Sequence, residues 1–242
     1  MTDERSLRLR PWRWSLQARI LWALLSAGRD ADRVSGVIDH ILQSHHVQTT
    51  DLKGAHKAAD RFDALSIAAD QTKSIPGLAM EFGVFQGLTL RHLAKQIGPD
   101  RRIVGFDTFE GLPDDWGDLL KKGTFATKIP SFDDLGNVSL EVGRIEETLP
   151  RFLQQNARPV SLVHIDCPYY DINIFILEKV LPFVPPGGVV VFDEYYGYPT
   201  YERHEFKAWA EVRSRLNIVT VPLAYSSRSA AFRVDRNPLN VT

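Results

Sequence analysis

The segment Leu78-Ala-Met-Glu-Phe-Gly-Val-Phe-Gln-Gly87 joins an apolar run of β-strand character to a loop that contains two glycines. Directly after this loop, apolar residues recur at helical spacing over residues 90–97, which is the pattern of one buried helix face. A strand, a tight loop and a helix in this order are typical of an α/β sheet, in which ligands bind at the carboxyl ends of the strands. The segment therefore predicts both the class of the fold and the place of its ligand site.

The same alternation of strand and helix continues along the chain. Helical patterns separate several further apolar runs, at residues 103–106, 138–142, 160–165 and 189–192. Alternating elements of this kind predict a Rossmann-like, doubly wound α/β sheet with helices on both faces. Residues 218–223 and 230–234 form two more strand patterns around a short polar turn, which predicts an antiparallel hairpin at the sheet edge.

The composition of the glycine loop indicates which ligand it suits. Gly83 lets the chain turn sharply, and Gly87 permits close approach where the helix begins. The spacing differs from the three-glycine fingerprint that admits the pyrophosphate of a dinucleotide. Glu81 would repel a pyrophosphate but tolerates a cationic ligand, so the loop favours S-adenosylmethionine over NAD. The alternative interpretation is a tight strand-to-helix turn with a capped glutamate.

Asp107 ends the second strand pattern. A carboxylate at this place can accept hydrogen bonds from both hydroxyls of a ribose. The alternative is a turn aspartate that precedes Gly111-Leu-Pro113. Acids at the ends of two neighbouring strands favour the ligand interpretation for both Glu81 and Asp107.

Three more acids follow apolar strand patterns, namely Asp166, Asp193 and Glu194. On adjacent parallel strands their carboxylates would lie close together and raise one another's pKa unless a cation neutralised them. Magnesium is a hard, oxygen-ligated ion that keeps positions open for substrate oxygens, so the pattern predicts a magnesium site. In the alternative interpretation Asp166 binds the adenosine side of the cofactor and Asp193 caps a loop.

Composition and charge exclude several classes of protein. The 242 residues carry 29 Lys and Arg against 30 Asp and Glu, a formal net charge of −1, which argues against a protein that wraps nucleic acid. Cys167 is the single cysteine, so an internal disulfide is excluded and a reducing, cytoplasmic location is expected. No apolar run approaches the length of a transmembrane helix.

The charge is unevenly distributed along the chain. Six arginines and two acidic residues give residues 1–29 a charge of +4 and leave −5 for the rest. We expect residues 1–75 to form a helical arm or lid, whose basic, tryptophan-containing start either lies on a membrane surface or packs on its own domain or a sister subunit. The second case implies a homo-oligomer. Residues 76–242 are expected to form the ligand-binding domain, with the polar segment Leu112 to Asn137 as a lid.

Several motifs in order resemble a known family. They are Glu81–Gly87, Gly105-Phe-Asp-Thr-Phe-Glu-Gly-Leu-Pro113, Glu147-Thr-Leu-Pro150, His164-Ile-Asp166 and Gly187–Tyr195. Over roughly residues 76–215 the chain looks like the macrocin O-methyltransferase-type group of class I S-adenosylmethionine-dependent methyltransferases. The resemblance implies a seven-stranded, mostly parallel sheet with an antiparallel last strand. It also implies methylation of a hydroxyl on a small metabolite, often a sugar of a secondary metabolite, with magnesium bound.

The resemblance also implies roles for individual residues. The cofactor positions are Glu81, Gly83, Gly87, Asp107, Thr108, Phe109, Gly143, Arg144, Ile145 and Asp166. The metal positions are Asp166, Asp193 and Glu194, where the family usually has two adjacent aspartates at the last pair. Besides Asp166, the catalytic candidates are Asp171 and His204.

The chain departs from the family pattern at Pro168, because the family has there a second aspartate that is its proposed general base. Candidates to replace it are Asp171, His204, Tyr169 and Tyr170. The departure leaves open a protein that binds the cofactor without methylating, and an NAD-dependent oxidoreductase is a third hypothesis that the glycine spacing disfavours.

Overall fold

The computed structural model describes residues 18–20, 22, 31–115 and 120–240. Residues 18–20 and 22 are helical. Most of the predicted basic arm, including Trp12 and Trp14, lies outside the described residues, as do residues 116–119 of the predicted lid.

One sheet organises the described part of the chain. Its eight strands are β1 (His56–Lys57), β2 (Leu78–Phe82), β3 (Ile103–Asp107), β4 (Val138–Val142), β5 (Val160–Ile165), β6 (Val189–Phe192), β7 (Val219–Tyr225) and β8 (Ala230–Arg236). Within residues 31–115 and 120–240 the α-helices are α1 (Ala31–Thr49), α2 (Arg61–Gln71), α3 (Leu88–Ile97), α4 (Ile145–Gln155), α5 (Tyr170–Val180) and α6 (Glu205–Arg215).

The strand order is β1-β7-β8-β6-β5-β2-β3-β4, and β8 alone among these strands runs antiparallel to its neighbours. The predicted α/β class, the mostly parallel sheet and the terminal hairpin are therefore confirmed. The sheet has one strand more than the resemblance implied, because the two residues of β1 pair with Ala224 and Tyr225 of β7. Two residues are too few to give a periodic signal in the sequence.

Burial explains why β2, β5 and β6 occupy the centre of the sheet. Every residue of these three strands is buried, as expected for parallel strands covered on both faces. Two apolar clusters lie on opposite sides, one around Phe82, Phe192 and Trp209 and the other around Leu90 and Val191. None of the described helices is long and apolar enough to cross a bilayer.

Helix α2 belongs to the packing of the sheet although it precedes residue 76. Its Leu65, Ala68 and Ala69 are buried in the same apolar cluster as Ala79 of β2 and Val189 of β6. The division between residues 1–75 and 76–242 stays a proposal about function, since α2 completes the core of the second region.

Candidate active site

The carboxyl ends of four strands meet along one edge of the sheet. Phe82 of β2 pairs with both Phe106 of β3 and Ile165 of β5, and Ile165 pairs with Phe192 of β6. The chain proceeds from β2 outward to β4 and then returns to β5 on the other side of β2. Such a switch point opens a crevice at the strand ends where ligands bind in open α/β sheets. The glycine loop and the carboxylates predicted from the sequence all follow these strand ends.

Gly83 is required by the close approach of β2 and β5 at this crevice. Its φ is +87°, and a Cβ atom there would lie 2.1 Å from the carbonyl oxygen of Asp166. Its amide donates to the carbonyl of Phe106 over 3.0 Å. A side chain would therefore force the ends of two central strands apart.

Gly87 begins α3 in a left-handed conformation, with φ +76°. A Cβ atom there would lie 2.5 Å from Cζ of Phe132, which belongs to the predicted lid. The close approach that the sequence predicted at this glycine is thus made by the chain's own segment.

Asp107 fixes the conformation of the glycine loop. Its Oδ2 accepts hydrogen bonds from the amides of Val84 and Phe85 over 2.7 and 2.8 Å, and its Oδ1 accepts one from Phe109 over 2.8 Å. One carboxylate therefore joins the loops after β2 and β3. The predicted contact with a ribose stays a prediction, as do those of Thr108 and Phe109.

Glu81 lies deeper than the sequence suggested. The residue is fully buried, and its two carboxylate oxygens lie 2.8 Å from Nδ1 of His164 and 3.1 Å from Oγ1 of Thr89. Burial raises the pKa of Glu81, although the hydrogen bond with His164 opposes the rise. In this arrangement Glu81 fastens β2 to β5 and α3, and its contact with a cofactor ammonium remains a prediction.

His164 lies between two carboxylates in the buried layer of the site. Its Nε2 is 3.8 Å from Oδ1 of Asp193, on the side opposite Glu81. Burial alone would lower the pKa of His164, but Asp193 and Glu81 outweigh it and raise that pKa to about 10. The imidazolium therefore links the ends of β2, β5 and β6 electrostatically.

Two of the three predicted metal ligands, Asp193 and Glu194, pair with arginines. Oδ2 of Asp193 lies 3.0 Å from Nη1 of Arg61, and Oε1 of Glu194 lies 3.0 Å from Nη1 of Arg228. Burial and the charge of Asp193 raise the pKa of Asp166 to about 7. Among the residues that the structure describes, no three His, Cys, Asp or Glu side chains are grouped to hold a metal ion. The predicted ligands thus do not fit a magnesium site in this arrangement.

A cavity of about 270 Å³ adjoins the end of β5. Leu120 and Phe125 form part of its apolar wall, and Asp166 and Pro168 lie on the β5 side. The loop after β6 and the following helix contribute further polar side chains, which are Glu194, Tyr198, Glu205 and Arg228. Acidic, basic and aromatic groups therefore surround one small space beside the crevice.

Glu205 is a site residue that the sequence analysis missed. It is the first residue of α6 and is 1% exposed, and its Oε2 accepts a hydrogen bond from the amide of Glu194 over 3.0 Å. Its Oε1 has no hydrogen-bond partner among the described residues. Burial and the nearby charges of Asp166 and Asp193 raise the pKa of Glu205 well above its ordinary value.

Arg61 and Arg228 were also missed, because each is distant in sequence from the acid that it pairs with. A lone arginine on a helix or in a turn is typical of a charge on the solvent-exposed surface. The signal that could have found them is the surplus of carboxylates at the strand ends, which requires cations from elsewhere in the chain.

The candidates for the missing base differ in their surroundings. The hydroxyl of Tyr169 donates to the carbonyl of Asp114 over 2.6 Å, and that of Tyr170 donates to Glu211. Asp171 is exposed in the first turn of α5. The ring of His204 stacks near Tyr198, with 6.1 Å between centroids, so it borders the cavity wall.

Gly143, Arg144 and Ile145 connect β4 to α4 beside the end of β3. The amide of Gly143 donates to the carbonyl of Asp107 over 3.0 Å, which brings this connection to the same sheet edge. Arg144 pairs with Glu146 over 3.0 Å. The three residues thus lie where the sequence predicted a border of the cofactor site, and their contacts with a cofactor stay predictions.

The predicted lid is attached to α3 in the structure. Nη1 of Arg91 lies 2.6 Å from Asp134, its Nη2 donates to the carbonyl of Ser131 over 2.8 Å, and its guanidinium lies 5.1 Å from the ring centroid of Phe132. The segment therefore lies over the glycine loop at the start of the helix.

An open α/β sheet with a glycine loop, strand-end acids and an adjoining cavity is typical of ligand-binding enzymes, and many different proteins share it. Residues 80–195 match a family model described as a methyltransferase domain. No curated protein matches the chain.

Solved structures narrow the class further. The calicheamicin methyltransferase CalS11 is 26% identical, with a TM-score of 0.58, and the match covers 90% of this chain and 91% of that one. An apo structure of CalS11, described as a TDP-rhamnose 3'-O-methyltransferase, is 26% identical with a TM-score of 0.53, over 90% and 92% of the two chains. These matches confirm the prediction of a methyltransferase enzyme, while the macrocin-type subgroup remains a prediction.

Two further structures share the fold. The O-methyltransferase NovP is 20% identical with a TM-score of 0.58, over 73% of this chain and 80% of that one. TomG from Streptomyces achromogenes, an O-methyltransferase solved in complex with S-adenosylmethionine, is 17% identical with a TM-score of 0.50, over 94% and 100%.

Proposed function

We propose that the protein is an S-adenosylmethionine-dependent O-methyltransferase that acts on a hydroxyl of a small metabolite, either a sugar or a secondary metabolite. The observation that carries the proposal is that Gly83, in the loop held by Asp107, lies against Asp166, which lines the cavity. A donor and an acceptor could thus meet at one sheet edge. The methyltransferase-domain match and the likeness to CalS11 support this interpretation.

The proposed cofactor site runs along the strand ends. Its residues are Glu81, Gly83, Gly87, Asp107, Thr108, Phe109, Gly143, Arg144, Ile145 and Asp166. The two-glycine loop lacks the room that three glycines give to a pyrophosphate, which supports S-adenosylmethionine over NAD.

In the proposed reaction the acceptor oxygen attacks the methyl carbon in line with its bond to sulfur. The carbon–sulfur bond breaks as the oxygen–carbon bond forms, S-adenosylhomocysteine leaves, and the hydroxyl proton passes to a base or to solvent. Most of the catalytic advantage would come from positioning the two reactants. Asp166, which lines the cavity, is the first candidate for a catalytic side chain, and His204 and Asp171 are the others.

Magnesium at Asp166, Asp193 and Glu194 stays a prediction from the sequence. The carboxylates of Asp193 and Glu194 are neutralised by Arg61 and Arg228, so the charge that a divalent ion would balance already has a counter-charge. A homo-oligomer, a cytoplasmic location and the absence of a nucleic-acid partner also remain proposals from the sequence.

A methyl-transfer assay tests the proposal. The protein is incubated with methyl-labelled S-adenosylmethionine and a panel of TDP-rhamnose, simple glycosides and phenols, and products are identified by mass spectrometry. An O-methylated product that depends on the protein is expected. Tight S-adenosylhomocysteine binding without transfer to any acceptor would instead favour a protein that binds the cofactor without methylating.

A further inference from the structure

We propose that Glu205 binds the hydroxyl that accepts the methyl group, through its Oε1, and that the acceptor is a single sugar ring seated in the adjoining cavity. This inference rests on the proposed function and deepens it. Neither the sequence pattern nor the family resemblance assigned a role to Glu205.

The first argument is the asymmetry of the Glu205 carboxylate. One oxygen, Oε2, is anchored by the amide of Glu194 over 3.0 Å, which fixes the orientation of the side chain. The other oxygen is buried and has no hydrogen-bond partner among the described residues. Buried polar atoms are nearly always satisfied in folded proteins, and an unsatisfied one requires an explanation. A hydrogen bond between Oε1 and a ligand hydroxyl supplies it.

The Glu205 side chain also lies in the cavity wall. Glu205 lines the cavity together with Asp166 and Pro168. The side chain of proline has no polar group to offer a substrate, so that part of the wall depends on neighbouring side chains for hydrogen bonding. Glu194 is already paired with Arg228 at 3.0 Å. Glu205 therefore offers an oxygen without a partner among the described residues, and a ligand can use it without breaking an ion pair.

The third argument concerns the chemical class of the acceptor. The cavity holds about 270 Å³, which is below the roughly 300–1,000 Å³ of sites for drug-sized ligands and suits one ring. Phe125 and Leu120 offer apolar surface to a ring face, while Glu205 and Arg228 offer hydrogen-bonding groups at its rim. A ring with one apolar face and several hydroxyls, which is a pyranose, matches both kinds of wall.

The test measures binding by calorimetry in the presence of saturating S-adenosylhomocysteine. The probes are TDP-rhamnose and methyl α-rhamnopyranoside, and the proteins are the wild type, Glu205→Ala, Glu205→Gln and the control Glu202→Ala. Glu202 is exposed in the turn that precedes α6, so its removal changes a nearby charge but not the cavity. Thermal unfolding of each variant verifies that it is folded.

We expect at least one probe to bind the wild type and the Glu202→Ala control equally. Glu205→Ala is expected to weaken that binding by about 10-fold or more, the equivalent of one buried hydrogen bond, with S-adenosylhomocysteine affinity unchanged within about 2-fold. Glu205→Gln keeps polar atoms at both positions and should recover part of the loss.

Three results would overturn the inference. These are unchanged probe binding in Glu205→Ala, equal losses of probe and S-adenosylhomocysteine binding, and no binding of either probe to a wild type that binds S-adenosylhomocysteine. The last result would leave the proposed methyltransferase function standing. Failure of the wild type to bind S-adenosylhomocysteine would count against the proposed function itself, and with it this inference.

Discussion

Asp107 controls the site at the scale of single residues, because its carboxylate accepts three backbone amides from two loops. We expect Asp107→Ala to lower the free energy of unfolding by about 2–4 kcal/mol, since three backbone amides lose a carboxylate acceptor. S-adenosylhomocysteine affinity should fall by about 10-fold or more as the loop loses its shape. Denaturant unfolding and calorimetry measure the two effects. Asp100→Ala, at an exposed turn position, is the control, and a normal affinity in Asp107→Ala would show that the loop does not need this support.

Gly83 and Gly54 separate the cost of an unfavourable backbone conformation from the cost of a steric clash. Both have φ +87°, but a Cβ atom at Gly83 meets the backbone of Asp166 while one at Gly54 meets nothing within 4 Å. We expect Gly54→Ala to cost about 1 kcal/mol from conformation alone and Gly83→Ala to cost about 3 kcal/mol or more, because the strand ends must also move. Denaturant unfolding measures both variants. Equal losses would contradict the close approach of β2 and β5.

At the scale of elements, α3 and the segment above it form one unit through Arg91. Removing the guanidinium in Arg91→Ala breaks the contacts to Asp134, Ser131 and Phe132. We therefore expect faster amide hydrogen exchange over residues 130–135, and no comparable change in β5. Gln96→Ala, an exposed change on the same helix, should leave exchange at the wild-type rate. Unchanged protection in Arg91→Ala would mean that other contacts hold the segment.

Elements with a clear hydrophobic periodicity could be predicted from the sequence, and short or interrupted elements could not. The runs at residues 160–165 and 189–192 became β5 and β6 with the predicted bounds. Helix α4 was not predicted as a helix, because Pro150 interrupts its pattern, although Leu149, Phe152 and Leu153 bury one face. Strand β1 was missed because it has only two residues.

At the scale of the whole molecule, α2 joins the region before residue 76 to the sheet. Its buried Leu65, Ala68 and Ala69 cover Ala79 and Val189, and its Arg61 pairs with Asp193. A fragment of residues 76–242 should therefore lose cooperative unfolding, because it exposes this apolar face and leaves a buried carboxylate without its counter-charge. Circular dichroism during heating tests this, with a fragment of residues 31–242 as the comparison. A cooperative transition of residues 76–242 at the full-length temperature would contradict it.

The acidic residues of the candidate site could be predicted from the sequence, but the arginines that pair with them could not. Strand-end positions follow from local pattern, so Asp107, Asp166 and Asp193 could be assigned to one sheet edge from the sequence. Their partners depend on tertiary structure, since Arg61 and Arg228 lie 132 and 34 positions from the acids that they pair with. A glutamate at the start of a helix is common, because its negative charge interacts favourably with the helix dipole. Glu205 was therefore missed in the sequence, and only its burial distinguishes it.

The central claim is that the crevice at the ends of β2, β3 and β5 binds S-adenosylmethionine. Calorimetric titration of the purified protein with S-adenosylhomocysteine, and separately with NAD, tests it most directly. We expect saturable one-to-one binding of S-adenosylhomocysteine and no measurable heat of binding with NAD. Saturable binding of NAD without binding of S-adenosylhomocysteine would contradict it.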